Sequence, residues 1–295
     1  ARLVLLGSGP SSGVPLLRCL LQPELGCKVC PSAQDSGSKN RRGTPSLLLQ
    51  LERPDRSWGN VIIDTGKSFY EAAARFFPSL GVKGLDALIF THGHADAILG
   101  LDSVREVQLA SLPPTEWTIK DPLSVHASQK TLSEIQNTFG YMFSGEYDTL
   151  VGKLVAQPFD LLPSFDVCDL TFTPLPVEHG RGYTCYGFMF GDAERVVYLS
   201  DVSDVPAETY SLISAKPVSL LFVDCLMRTI RRPSHFSLEQ ALELVRKLRP
   251  ARTVLVGLSC EFDYEELKRE CAALKHEEDL IVEPGFDGQN FEMSL

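Results

Sequence analysis

The chain lacks any apolar run long enough to cross a bilayer, which excludes a membrane-spanning helix of about 20 residues. It has no low-complexity linker and no internal repeat. Basic residues are in the minority: 28 Lys and Arg against 38 Asp and Glu give a net charge of -10. That balance disfavours a large nucleic-acid footprint, although it leaves a small phosphate ester open. The first nine residues, Ala1 to Gly9, read as a strand and a turn and have none of the features of a signal peptide. The chain starts at Ala1 rather than at Met, which points to a trimmed or processed end. Without a secretory signal, the eight cysteines are expected to be reduced thiols and the location cytoplasmic.

What is present describes a globular chain with a sizeable core. Hydrophobic residues make up 44% of 295 positions. The expectation is a single domain over residues 1–295 with a cysteine-rich insert at about 10–45. Strand-like runs recur at Leu3–Leu6, Ser46–Leu51, Val61–Ile63, Leu85–Phe90, Leu123–His126, Leu170–Pro174, Tyr183–Phe190, Val196–Leu199, Val218–Val223, Thr253–Val256 and Leu280–Val282. Helical periodicity marks Phe69–Phe77, Ile98–Leu109, Thr131–Phe139, Leu238–Leu248 and Tyr264–Leu274. Ser237 with Gln240 fits a capping box, and Asp263 with Glu266 a related start signal. Strands and helices alternate in both halves, so the fold class is α/β or α+β. The segment Pro10–Pro45 is rich in Gly, Ser and Cys and weak in periodicity. A loop of that length in a compact domain needs an anchor.

The stretch Thr91-His92-Gly93-His94-Ala95-Asp96 follows an apolar run that reads as a buried strand. Imidazole nitrogens and a carboxylate oxygen are donors that Zn²⁺ and similar ions accept. Three further residues stand in matching settings: His179 just past a strand, Asp201 at a strand end, and His235 before a capped helix. Read singly, His179 is as well explained as a surface histidine, Asp201 as a turn residue and His235 as orienting the start of its helix. Their order and spacing together favour a shared metal site.

Those residues, with others, resemble the metallo-β-lactamase fold superfamily. Its pattern is His-x-His-x-Asp-His, then a lone His, an Asp after a strand, and a final His. Here these are His92, His94, Asp96, His179, Asp201 and His235. The resemblance is closer to the branch that holds the cyclic-phosphate phosphodiesterase of the carbon–phosphorus lyase pathway. That branch opens with a strand and a Gly-Ser-rich loop (Leu5 to Pro15), continues with a cysteine cluster and an Asn40-Arg41-Arg42 element, and has an Ile63-Asp64-Thr65-Gly66 strand end. The early glycines precede no helix, so neither a P-loop nor a Rossmann site fits. The resemblance implies a four-layer αββα sandwich with two metal positions on its edge. His92, His94 and His179 would hold the first ion, Asp96 and His235 the second, and Asp201 would bridge both. A hydroxide between the ions would be the nucleophile, with Asp96, Asp201 and His235 as the catalytic residues.

One position departs from the pattern. The histidine that should follow Asp96 is Ala97. The first position keeps three imidazoles and suits Zn²⁺. The second becomes oxygen-rich, so Zn²⁺, Mn²⁺, Mg²⁺ or Fe²⁺ are its expected occupants, more weakly held. The remaining histidines, His126 and His276, are not placed to substitute.

Cys19, Cys27 and Cys30 contain a C-x₂-C spacing common in zinc knuckles. Three thiols do not close a tetrahedral site. In the resembling branch the fourth ligand is a His in a late loop, and the corresponding residue here is Cys260. A structural Cys₄ zinc is therefore expected; the alternative is that Cys260 is an ordinary buried thiol. Cys168, Cys185, Cys225 and Cys271 read as core residues. Arg41 and Arg42 suit a phosphate, with a solvated basic pair equally open, and Ser12 is a pocket candidate. Asp64 is expected to orient a metal-binding histidine.

The leading expectation is a metal-dependent phosphodiesterase acting on small cyclic or nucleotide-like phosphodiesters. A tRNA-processing nuclease of the same fold, a thioester or lactam hydrolase, and a non-catalytic binding protein on a degenerate fold are the alternatives. The partner is expected to be a small phosphodiester, with no membrane and no extended nucleic acid; a homodimer is compatible with this reading.

Overall fold

The computed structural model describes residues 1–53, 56–108, 122–144, 151–159 and 163–295. Among the described residues, fourteen strands form two seven-stranded sheets. The first sheet contains β1 (Arg2–Gly7), β2 (Ser46–Glu52), β3 (Trp58–Ile63), β4 (Ala87–Ile89), β5 (Leu123–Ala127) and β6 (Leu154–Pro158). The second contains β7 (Phe165–Val167), β8 (Leu170–Glu178), β9 (Thr184–Phe190), β10 (Val196–Leu199), β11 (Leu220–Asp224), β12 (Arg252–Val256) and β13 (Val282–Pro284). The chain then returns to the first sheet as β14 (Gln289–Glu292), beside β1. The spatial orders are 14-1-2-3-4-5-6 and 13-12-11-10-9-8-7. In each sheet one part is antiparallel and the other parallel: β3 to β6 run parallel, as do β10 to β13.

The unbroken apolar runs are strands buried on both faces. In β10, Val196 and Tyr198 join the core between the sheets, while Val197 and Leu199 join the core on the other side. β11 divides in the same way, with Leu220 and Phe222 against Leu221 and Val223. That period of two places one helical layer outside each sheet. Helices Phe69–Leu80 and Gln129–Phe139 cover the first sheet through Phe69, Phe77, Leu132 and Ile135. Helices Leu238–Leu248 and Tyr264–Glu277 cover the second through Ala241, Leu244 and Leu267. The result is the αββα sandwich. Among the described residues, no helix is long and apolar enough to cross a membrane.

Local signals set the helix starts. Ser237 and Gln240 form a reciprocal capping box. The Asp263 carboxylate accepts the N–H groups of Glu265 and Glu266, both at 3.1 Å. The helix expected over Ile98–Leu109 is instead broken into Ala95–Ile98, a 3₁₀ turn at Leu101–Val104, and Arg105–Gln108; Leu109 lies outside the described residues. The break falls at Gly100, where a Cβ would lie 2.2 Å from the Gly66 carbonyl oxygen. β6, β7, β14 and the helix Ala207–Ser214 carry too little local pattern to be seen in the sequence. Three of the four are short strands at or near sheet edges, where one face meets solvent.

Candidate metal centre

The loops that leave β3, β4, β8, β10 and β11 bring the candidate ligands to one edge of the sandwich. Asp64, just past β3, takes a left-handed backbone with φ of 63°. Its carboxylate accepts the Thr91 N–H at 2.9 Å and the Thr91 hydroxyl at 2.8 Å. Because that hydroxyl donates to Asp64, it accepts from His92 Nδ1, 2.8 Å away. Asp64 thus fixes the His92 tautomer through Thr91, one residue more remote than the sequence reading had it. His92 Nε2 is left bare, buried and without a hydrogen-bond partner. Burial lowers the His92 pKa to about 3, so the ring is neutral and its lone pair is available.

The His179 imidazole is set in the same way. His179 Nδ1 donates to the Ser234 carbonyl at 2.7 Å, which frees Nε2. That nitrogen lies 3.2 Å from His94 Nδ1. Two nitrogens bound to one tetrahedral zinc would be about 3.3 Å apart. The donor atoms of His92, His94 and His179 all lie within 4.8 Å of one another. This is a three-imidazole set with an orphaned buried nitrogen, and it suits a divalent ion.

A second group, His179, Asp201 and His235, meets the same distance limit. Asp201 groups with His235 rather than with His92 and His94. Asp96 is buried on the first turn after His94, and its charge acts on His92 and His235, although neither cluster includes it. The Ala97 methyl is part of the apolar core. Sequence reasoning missed Asp224, the fully buried last residue of β11. His235 Nδ1 donates to its carboxylate at 2.7 Å, which turns His235 Nε2 away from Asp224. Burial alone would lower His235, but Asp224 and Asp201 push it up to about 9. A carboxylate closing an otherwise apolar strand was the available signal.

Residues 59–257 match the family described as the beta-lactamase superfamily domain. The chain belongs to the metallo-β-lactamase superfamily. Within it, a crystal structure described as a new diphosphatase from the PhnP family superposes with a TM-score of 0.78 at 29% identity, over 99% of this chain and 96% of that one. This places the chain on the PhnP-like branch. The human short-form tRNase Z, at 16% identity and a TM-score of 0.66 over the whole of both chains, shares the fold. An octanoyltransferase from Porphyromonas gingivalis is 31% identical over 260 residues, which are 88% of this chain and 46% of that protein. This chain therefore spans about half the length of that relative.

The rim of the centre carries an aromatic side chain. Tyr183 stacks on the exposed His94 ring, with Lys130 Nζ 3.8 Å from the Tyr183 ring centroid. Burial and the nearby charge of Glu134 push the Tyr183 hydroxyl up to about 12. The Glu134 carboxylate also fills the space beside Gly93, where a Cβ would lie 1.5 Å from Glu134 Oε2. A side chain at position 93 would displace the Glu134 carboxylate from this place.

The sulfurs of Cys19, Cys27, Cys30 and Cys260 lie within 4.8 Å of one another; the edge of a zinc–thiolate tetrahedron is about 3.8 Å. The Leu16 N–H points at Cys30 Sγ at 3.2 Å, and the Cys30 N–H at Cys27 Sγ at 3.4 Å. Burial pushes the Cys30 thiol up to about 11 and Cys260 higher still. Cys27 is also raised by burial, but N–H groups of Cys30 and Val29 bring it below its ordinary value. The donor set suits a soft closed-shell ion. Cys260 thereby brings the insert to the C-terminal half.

Arg42 corrects the sequence reading. It is 1% exposed, and its guanidinium donates to the carbonyls of Ser259 and Phe262 and to Asn40 Oδ1. Burial lowers it to about 10, against the pull of Asp287, Asp263 and Cys260. It is a cationic strut beside the cysteine cluster, not a phosphate clamp. Arg41 is half-exposed and pairs with Glu71 at 3.5 Å. Arg41 and Ser12 line a cleft that contains none of the ligating side chains.

Proposed function

We propose that the chain is a metal-dependent hydrolase of small phosphodiesters, with cyclic or nucleotide-like esters preferred. The observation that carries this reading is the bare, buried His92 Nε2 facing the converged nitrogens of His94 and His179. The 29% identity to a PhnP-family diphosphatase over nearly all of both chains supports phosphoester chemistry. The net charge of -10 favours a small substrate over an extended nucleic acid.

His92, His94 and His179 would hold a first ion, taken as Zn²⁺. Asp96, Asp201 and His235 would hold a second, taken as Zn²⁺, Mn²⁺, Mg²⁺ or Fe²⁺. When bound, such ions supply Lewis acidity and bring the pKa of water toward neutral. Thr91 and the Ser234 carbonyl fix two imidazoles in the tautomers that ligation requires. Asp224 does the same for His235 by accepting a hydrogen bond from its Nδ1–H. Asp96 and Asp201 would be the carboxylates that accept a proton from the attacking water. The Cys19, Cys27, Cys30 and Cys260 site would hold a structural Zn²⁺.

The test is turnover of bis(p-nitrophenyl) phosphate and a panel of cyclic phosphates with added Mn²⁺ or Zn²⁺. The expected result is hydrolysis that is abolished in His92→Ala and Asp201→Ala. No turnover on any diester at saturating metal, or undiminished turnover in both variants, would overturn the reading.

A further inference from the structure

A cleft of about 780 Å³ lies against the cysteine-rich insert, a volume ordinary for a small-molecule site. One wall is formed by the insert residues Ser12–Pro15 and Arg41–Thr44. The other is a face of the helix Phe69–Leu80, where Tyr70, Glu71, Ala74 and Arg75 stand at i, i+1, i+4 and i+5.

The floor is fixed. The Thr44 N–H donates to Ser68 Oγ at 2.8 Å, and the Gly43 N–H to Asp287 Oδ2 at 2.6 Å. A Cβ on Gly43 would lie 2.6 Å from Ser68 Oγ, so the walls meet as closely as glycine allows. The insert wall is held in turn by Arg42 and the cysteine cluster.

The rim is cationic although the chain is acidic. Arg41, Lys67 and Arg75 stand there against the exposed carboxylate of Glu71, which pairs with Arg41, and the part-buried carboxylate of Asp287. Among the described residues, Lys67 and Arg75 have no ion pair. Tyr70 is 61% exposed on the same wall, and Arg75 lies over the Phe76 ring at 4.8 Å. Free cations beside an exposed aromatic face match a phosphorylated aromatic heterocycle, with phosphate on the guanidinium and ammonium groups and the ring on the phenol.

We propose that this cleft is a binding site for a nucleotide-like ligand, separate from the metal-ligating side chains. None of those side chains lines it, so the inference does not depend on the hydrolytic reading. The two places are joined through the backbone. Thr65, two residues before Lys67, donates to the Ala97 carbonyl and accepts from Gly100, each at 2.8 Å.

The test is titration calorimetry of the metal-loaded full chain with α,β-methylene-ADP, which resists hydrolysis between its phosphates, and with pyrophosphate. Binding should persist in His94→Ala. It should weaken about tenfold or more in Lys67→Glu/Arg75→Glu, as expected on reversing charge-assisted contacts. Tyr70→Ala should weaken the ADP analogue about tenfold and leave pyrophosphate unchanged. Melting curves, together with the milder Lys67→Met/Arg75→Met pair, separate lost binding from lost folding. Absence of binding, or binding lost in His94→Ala but retained in the charge variants, would overturn the proposal. So would a Tyr70→Ala variant that binds the analogue as tightly as the parent. Diester turnover, measured separately, reads the hydrolytic function alone.

Discussion

The Tyr183 ring lies against the His94 imidazole, with centroids 4.6 Å apart and planes 21° from parallel. His94 is the exposed member of the three-imidazole cluster. Without the phenol, its outer face would meet water and its rotamers would multiply. Tyr183→Ala is expected to weaken metal retention about tenfold, in the range seen when support of a ligand is removed, while Tyr183→Phe keeps the stack and most of the affinity. Competition against a graded chelator, read as metal content, checks this. Equal retention by both variants would refute it.

The cysteine site should act as a fold anchor. Cys260→Ser is expected to lower zinc stoichiometry by one and to lower the melting temperature strongly, because the site ties the insert to the loop before Tyr264–Glu277. Structural zinc contributes on the order of 10 kcal/mol in small domains, and the larger core here should reduce the share. Raised thiols must lose protons to bind metal, so zinc affinity at this site should fall as pH drops. Unchanged zinc content and stability in the variant would remove the assignment.

Ala97 should make the two ions unequal. The second is expected to leave first on dialysis, since its position has one imidazole fewer. Ala97→His should slow that loss. The Ala97 methyl is 2% exposed and packed in the core, so the larger ring should also cost about 1–3 kcal/mol of stability through overpacking. Equal retention of both ions by the parent chain after mild chelation would count decisively against the asymmetry.

Asp287 supplies a pH signature in the cleft floor. Burial raises its carboxyl to about 6, against the opposing N–H groups of Gly43 and Ser8, the Ser8 hydroxyl and the charge of Arg42. A folded-state value above the unfolded one means a contribution that is full below the unfolded pKa and lost as pH rises through the folded one. A shift from 3.8 to about 6 corresponds to about 3 kcal/mol. The stability of the parent relative to Asp287→Asn should therefore be greater at pH 4.5 than at pH 7, by urea midpoints measured in parallel. A difference that is flat or rises with pH would contradict this.

The legible parts of this protein are those encoded over a few residues. Apolar runs of strand length, the capping box at Ser237 and the polar residues that close strands β4 and β10 are local patterns, because burial alternates with a period of two and a cap acts within one turn. They placed His92, His94 and Asp201 at strand ends. The insert's need for an anchor was also visible, since a long aperiodic loop cannot bury itself. What only the tertiary structure decided are contacts between distant segments: Asp64 reaching His92 through Thr91, Asp224 turning His235, and Tyr183 lying on His94. Arg42 shows the reason most clearly. Beside Arg41 it reads as half of a basic pair, yet two of its three hydrogen bonds run to Ser259 and Phe262, more than two hundred residues away. Whether a guanidinium meets solvent or carbonyls depends on which loop folds over it, and no pattern within a few residues of Arg42 carries that information.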